Sequence, residues 1–355
     1  MSDTKKARVL MLGADRSVHG GVSAVINNYY QAGLDKEINL HYIGTMVDGS
    51  KVRKLIQALW AYAAFLIRLP VTEIVHVHMA ADASYYRKSI FIRTAYIFHK
   101  KIIIHEHGGD FRNFYYGKDE KQQERIRKTL NKADCFIVLS EEWKQFFEPI
   151  VQPEKIKIIE NGIPVKERTG KSYDNHKAVF LGRLCATKGI RELLECVPAL
   201  KAQYDDFELY LGGVWEEEDL RPLAQKQEET VHFLGWVNAE ERERLLKTCS
   251  IFVLPTYFEG QPISLLEAME AGCTVVVSHV GGIPQIVTDG VNGIMIKPKD
   301  VPSLTEGLKR ALESEACRKQ LGESARETVL KKYDVRIGME QLLKIYREWG
   351  TICKR

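Results

Sequence analysis

The sequence predicts an α/β protein of two Rossmann-like domains facing across a cleft, and three observations carry that prediction. Short β-branched runs alternate with helical patterns along nearly the whole chain, as expected of parallel sheets covered on both faces. The alternation breaks at Asn161-Gly162-Ile163-Pro164, crosses a polar stretch from Val165 to Lys177 without periodicity, and restarts at Ala178. The 355 residues are enough for two domains at about 100–200 residues each.

The elements follow in order. Val9-Leu10-Met11-Leu12-Gly13 reads as a buried strand, and Gly20-Gly21 then opens an apolar-periodic stretch from Val22 to Tyr30: strand, glycine loop, helix. Further strands are expected at Glu73–Val77, Lys101–His105 and Cys135–Leu139. The second series opens with Ala178–Gly182 and continues through Phe207–Leu211, Val231–Leu234, Ile251–Leu254, Thr274–Val277 and Ile294–Ile296. A final amphipathic helix over Val335–Trp349 offers Leu342, Leu343, Ile345 and Tyr346 to a core. The expected domains are 1–168, with 335–355 returning to it, and 169–334. Ligands of open parallel sheets bind beyond the carboxyl ends of the strands, so the loops there are where function is sought.

Composition narrows the class. Residues 1–170 carry 26 basic and 19 acidic side chains, and the remainder 25 and 28. A basic first half suits an anionic membrane surface or an ordinary solvated face. Its scattered charges argue against nucleic acid. The seven cysteines (135, 185, 196, 249, 273, 317, 353) are odd in number and contain no Cys-x-x-Cys, which favours reduced thiols in a cytoplasmic protein. Residues 1–6 lead into the first strand without an apolar leader, and no run of about 18 apolar residues is found, so no membrane span is expected. Two basic, aromatic and apolar stretches, Lys51–Arg68 and Arg87–Lys101, read either as membrane-facing or as core helices.

Four clusters offer chemistry. Glu259-Gly260-Gln261-Pro262-Ile263-Ser264 follows the strand Ile251–Leu254, and a helix beginning near Ile263 would aim its free N–H groups at an anion. Glu267 lies further along that helix. Beside a phosphate, a carboxylate is unfavourable unless it takes something else, and sugar hydroxyls are good partners. Gly182-Arg183, with Lys188-Gly189, follows the second series' first strand; these cations would neutralise a pyrophosphate without a metal. His105-Glu106-His107-Gly108 puts imidazoles at a strand end, and the spacing of His76 with His78 and of His105 with His107 supplies no complete ligand set, so no metal is expected. Gly20-Gly21 permits close approach of a ligand but is not Gly-x-Gly-x-x-Gly, which argues against an NAD site. The bland alternatives are a helix cap, surface cations, hydrogen-bonded strand-end histidines and a tight turn.

Taken in order, these segments resemble the family-4 retaining glycosyltransferases of GT-B fold. Val179-Phe180-Leu181-Gly182-Arg183 with Lys188-Gly189, Val231-His232-Phe233-Leu234-Gly235, the Glu-x7-Glu of Glu259 and Glu267, Gly281-Gly282-Ile283-Pro284 and Asp289-Gly290-Val291-Asn292-Gly293 carry the resemblance. Gly20-Gly21, His107-Gly108, Ser140 and Asn161-Gly162 match more loosely. Pro262 and Gln285 depart from the pattern, at positions where glycine and glutamate are frequent.

The resemblance implies a nucleotide-sugar donor, a UDP-sugar, and transfer to a hydroxyl of a glycan or lipid-linked acceptor. The cysteines, the basic first half and the Lys51–Arg68 and Arg87–Lys101 stretches point to a cytoplasmic enzyme, peripheral on the inner face of the membrane, in bacterial cell-surface polysaccharide synthesis. Arg183 and Lys188 would bind the diphosphate, and Glu267 the ribose. Glu259, with amides from Gly260, Gln261, Ile263 and Ser264, would contact sugar and phosphate. Gly21 would lie against the donor, and His107 near the anomeric carbon. No metal is implied. Departure of the nucleoside diphosphate would be stabilised electrostatically, with same-face attack by the acceptor. Two other classes share such an architecture: a UDP-sugar 2-epimerase, against which the Glu-x7-Glu element argues, and a non-catalytic sugar-nucleotide-binding module.

Overall fold

The computed structural model describes residues 6–167 and 170–352, with the side chains of 351 and 352 excluded. The expected boundary at 168/169, Cys353 and the start and end of the chain lie outside the described residues. The chain forms two compact units, residues 1–164 with 335–355, and residues 165–334.

In the first unit six parallel strands are ordered β2-β1-β3-β4-β5-β6. They are β1 Arg8–Gly13, β2 Asn39–Gly44, β3 Ile74–Met79, β4 Lys101–Glu106, β5 Cys135–Val138 and β6 Ile156–Ile158. Strand order reverses between β1 and β3, which places the carboxyl end of β1 at a topological switch point. On one sheet face Leu10, Leu12, Val75, Val77, Ile102 and Ile104 join a continuous apolar core. The 335–352 helix belongs to this unit, and Leu342, Leu343, Ile345 and Tyr346 are all buried in it.

The second unit repeats the plan with the order β12-β11-β10-β7-β8-β9. Its strands are β7 Lys177–Leu181, β8 Glu208–Gly212, β9 Val231–Gly235, β10 Ile251–Leu254, β11 Thr274–Ser278 and β12 Ile294–Ile296. Here the switch lies between β7 and β10. The Arg183–Lys188 and Glu259–Glu267 segments follow those two strands, so the topology brings them side by side.

The polar stretch from Val165 to Lys177 is not a free tether where it is described. Tyr173 is buried and donates to Gly272 O at 3.0 Å, and the Tyr173 carbonyl accepts from the buried Arg318 guanidinium at 2.9 and 3.0 Å. The Lys171 ammonium donates to the carbonyls of Leu246 and Cys249.

Lys51–Arg68 is also not a core helix. Only Ala61 and Phe65 are buried, while Val52, Leu55, Ile56, Leu59, Trp60 and Ile67 are exposed. Charges interrupt its apolar run, yet over 51–71 it is long and apolar enough by composition to cross a membrane. The Ala83–Ile97 helix is mixed: Phe91, Ile92 and Ala95 are buried, and Ile90 and Ile97 exposed.

Candidate active site

Beyond β10 the chain passes through the buried Pro255 and Thr256, and the Tyr257 amide donates to Thr187 O at 2.9 Å. That bond ties the loop after β10 to the turn after β7. The contact requires Gly189: its φ is +72°, and a Cβ there would fall 2.0 Å from Pro255 O. With the two loops pressed together, the Lys188 ammonium donates to Glu259 Oε1, and only 18% and 15% of the two side chains remain exposed.

Glu259 is fixed from its other side by Gly281, where φ is +53° and a Cβ would lie 1.8 Å from Glu259 O. Next to it, the Gly282 amide donates to Gly260 O at 3.0 Å. The Gly-Gly-Ile-Pro segment therefore serves to back the Glu259–Gly260 loop.

The helix that follows runs Ile263–Glu270 with Pro262 at its N-cap. An N-cap needs no N–H of its own, so proline at 262 suits the helix start. No side chain caps this terminus, which leaves the first-turn amides of Ile263 and Ser264 at the positive end of the helix dipole. Gln261 is buried just before it.

Glu267 projects from the same helix, and Arg242 Nη2 meets its Oε1 at 3.1 Å. Burial pushes the Glu267 carboxyl above its ordinary range, while Arg242 and then Lys166 pull it down and Glu270 pushes it up. Arg183, directly after β7, places Nη1 3.0 Å from both oxygens of Glu216. That pair is half exposed, so it is weak and exchangeable. The Glu216 amide donates to Leu184 O at 3.1 Å and the Leu184 amide to Val214 O at 2.9 Å, so backbone pairing carries Glu216 to Arg183.

The first unit holds a buried polar cluster at the carboxyl ends of its strands. His76 and His78 share a face of β3, and His105 pairs with His78 across β4. With His107 they form a ladder of stacked rings, centroids 4.2–5.5 Å apart. His78 Nδ1 lies 2.8 Å from His107 Nε2, and His76 Nδ1 lies 2.5 Å from the Tyr346 hydroxyl. Burial holds His76 and His107 at about 3 and lowers His78 and His105 well below the usual range, so all four are neutral near pH 7.

Ring nitrogens of His76, His78 and His105 lie within 4.8 Å of one another. The three rings are within 30° of parallel, a stacking arrangement that does not point three lone pairs at one centre. Glu106, with its carboxyl pushed well up by burial, accepts from the Gly108 amide at 2.7 Å. Lys88 is not a surface cation of the 87–101 stretch: it is buried and donates to Gly13 O at 2.9 Å and to Thr45 Oγ1. Gly21 begins the Gly21–Gln31 helix, and side chains at Gly20 or Gly21 would meet nothing within 4 Å. Packing inside this unit thus places no demand for glycine there.

In the second unit Arg183 and Lys188 follow β7, and Glu259, Gly260, Gln261, Ile263, Ser264 and Glu267 follow β10, the two strands at the switch point. In the first unit His107 directly follows β4, and Gly21 opens the helix after β1. Sequence reading missed the partners Glu216, Arg242 and His78. Residues 29–167 match the model of Glycosyltransferase Family 4, and residues 164–328 that of Glycosyl transferases group 1.

The chain belongs to the GT-B glycosyltransferases.

An uncharacterized glycosyltransferase of Methanocaldococcus jannaschii is 30% identical over 62% of this glycosyltransferase, a match spanning 58% of that relative's length. The N,N'-diacetylbacillosaminyl-diphospho-undecaprenol alpha-1,3-N-acetylgalactosaminyltransferase of Campylobacter jejuni is 27% identical over 90% of the chain and 80% of its own length. Two solved structures share the fold at 18% identity. Sucrose-phosphate synthase from Thermosynechococcus elongatus has a TM-score of 0.82 over 98% of this glycosyltransferase and 100% of that chain. The HepE protein of Anabaena, in complex with UDP and glucose, has a TM-score of 0.76 over 96% and 99%.

Proposed function

We propose that this glycosyltransferase moves a sugar, with retention at the anomeric carbon, from a UDP-sugar to a hydroxyl of a glycan or lipid-linked acceptor in bacterial cell-surface polysaccharide synthesis. The observation that carries the donor half is the placement of Arg183, Lys188, uncapped helix amides and Glu267 after the two strands at the switch point of the second unit. Cations and oriented amides are what a departing diphosphate requires, because negative charge grows on its oxygens as the glycosyl bond breaks. Glu267, an acceptor-only group when ionised, suits the two hydroxyls of a ribose.

Glu259 is proposed as the contact that fixes the transferred sugar, with the Gly260, Gln261, Ile263 and Ser264 amides beside it. For Lys188 to meet the diphosphate it must share or leave Glu259, so donor arrival frees that carboxylate for sugar hydroxyls. His107, neutral and held by His78, and Gly21 are proposed contacts of the sugar from the first unit. UDP as the nucleotide rests on the ligand of the Anabaena structure. The lipid-linked acceptor rests on the undecaprenol-linked substrate named for the Campylobacter relative.

The acceptor also sets the place of work. The Lys51–Arg68 helix exposes apolar residues beside Lys51, Arg53, Lys54 and Arg68, which suits an anionic membrane surface. The proposal is a cytoplasmic enzyme peripheral on the inner face of the membrane.

The test is incubation with a panel of UDP-sugars, with and without undecaprenol-linked and glycan acceptors, and NMR of any product. The expected product is an α-linked glycoside from an α-configured donor, formed only with acceptor. An epimerised donor without acceptor would favour an isomerase, and binding without turnover across the panel a non-catalytic module.

A further inference from the structure

We propose that Arg242 is a positioning residue for the donor nucleotide, its guanidinium holding the Glu267 carboxylate in the place and charge state that receive the ribose hydroxyls. The inference rests on the ribose role of Glu267 proposed above.

Arg242 stands in the second turn of the Ala239–Thr248 helix, which follows β9. The start of that helix is fixed. The Asn238 side chain accepts from the Glu241 amide at 2.9 Å, and Asn238 O accepts from the Arg242 amide at 2.9 Å. Glu267 is equally fixed, because its neighbours Leu265, Leu266, Ala268 and Met269 are buried at 0% exposure. Two rigid helices thus deliver the guanidinium to Glu267 Oε1 at 3.1 Å, with 35% and 21% of the side chains exposed.

The other charges facing Glu267 are occupied. The Lys166 ammonium goes to Glu243. Glu270 takes Arg326 Nη1 at 2.7 Å and the Lys166 amide at 3.2 Å. That leaves Arg242 as the cation in direct contact with the Glu267 carboxylate among the described residues. Burial disfavours the charged form and Glu270 repels it, whereas Arg242 gives the largest opposing effect and Lys166 a smaller one. Two vicinal hydroxyls are held best by an ionised carboxylate, since a protonated one has lost acceptor capacity. Removing Arg242 therefore loosens the carboxylate and moves its protonation toward neutral pH.

The experiment compares the full chain with R242Q and R242K, measuring the affinity for UDP and for 2′-deoxy-UDP by calorimetry, and kcat/KM against pH. Wild type is expected to favour UDP over the deoxy probe by about tenfold or more, the worth of a hydrogen bond to a charged group. In R242Q the preference should shrink to about twofold with deoxy-UDP binding little changed, and the acid limb of kcat/KM should move to higher pH. R242K, which keeps the charge, should leave the acid limb in place and keep most of the preference. An R242Q enzyme with the full ribose preference and an unmoved acid limb overturns the proposal. If R242Q does not fold, R242M takes its place: the full ribose preference with an unmoved acid limb in that variant overturns the proposal. A wild type indifferent to the 2′-hydroxyl overturns the ribose role of Glu267 itself, which is a separate failure.

Discussion

Lys188 is a cation already held by a carboxylate, and this shapes what its loss should do. Lys188→Ala removes a proposed phosphate donor and leaves Glu259 largely buried without its partner. UDP affinity should fall by about 10- to 100-fold, and stability by about 1–3 kcal/mol. Calorimetry and thermal melting read the two effects separately, and unchanged affinity would remove Lys188 from the phosphate site. Glu259→Gln keeps the shape and frees Lys188. UDP affinity should hold within about threefold while transfer falls by about 100-fold, the usual cost of a misplaced reacting centre. Loss of UDP binding in E259Q would instead make Glu259 a support for Lys188.

Arg183, Lys188, Glu259 and Glu267 could be proposed from the sequence because the segments that carry them follow the readable strands β7 and β10. Their partners were not. Glu216 lies 33 residues from Arg183, and His78 29 residues from His107, and only strand order brings them together. A single sequence carries no periodicity that would signal such pairs.

Among the elements, the turn after β7 is held by one glycine. Gly189→Ala forces a side chain into the left-handed region and against Pro255 O, so the 185–189 turn must lift off β10. A cost of about 1–3 kcal/mol is expected, read as a fall in Tm of about 2–4 °C per kcal/mol, with donor KM raised because Lys188 moves with the turn. An unchanged Tm and KM would show that the contact is dispensable.

The exposed Lys51–Arg68 helix makes a second case. Flotation with vesicles containing anionic lipid should capture the wild type at low salt, and L59E/W60E should lose that capture while keeping its melting temperature. Equal capture of the two would exclude this helix as the docking element.

Most strands were readable from apolar runs; Ile251–Leu254 coincides with the interior strand β10 and Ile294–Ile296 with the edge strand β12. Two edge strands were missed: β2 because half-exposed edge positions blur its apolar run, and β6 because three residues are too few to show a pattern. The 51–68 helix was ambiguous for another reason. An apolar face looks the same in sequence whether a core or a solvent-facing surface receives it.

At the scale of the whole molecule, burial of four histidines couples the first unit to pH. The rings of His76 and His107 are held at about 3, and those of His78 and His105 well below the usual 6.5. Below pH 6.5 the unfolded chain takes up protons that the folded chain refuses. Each ring therefore contributes stability that is present above 6.5 and is lost as pH falls toward its folded value, by about 1.4 kcal/mol per pH unit. Glu106, raised by burial, acts in the opposite direction, but one carboxyl is outnumbered by four rings, and the depressed Lys88 acts with the histidines. Tm should fall steeply from pH 7 to pH 5. A flat profile would mean that the rings are not buried and neutral as described.

The two-unit plan itself was legible because the strand–loop–helix rhythm stops and restarts, and a switch point follows from strand order in each unit. What ties this architecture to sugar transfer is the claim that the second unit grips a nucleoside diphosphate between the β7 and β10 loops. A crystal structure of the chain with UDP tests it directly. The expected density puts the diphosphate within hydrogen-bond reach of Arg183, Lys188 and the Ile263–Ser264 amides, and the ribose on Glu267. Diphosphate bound away from the β7 and β10 strand ends, with Lys188 still paired to Glu259, would contradict it.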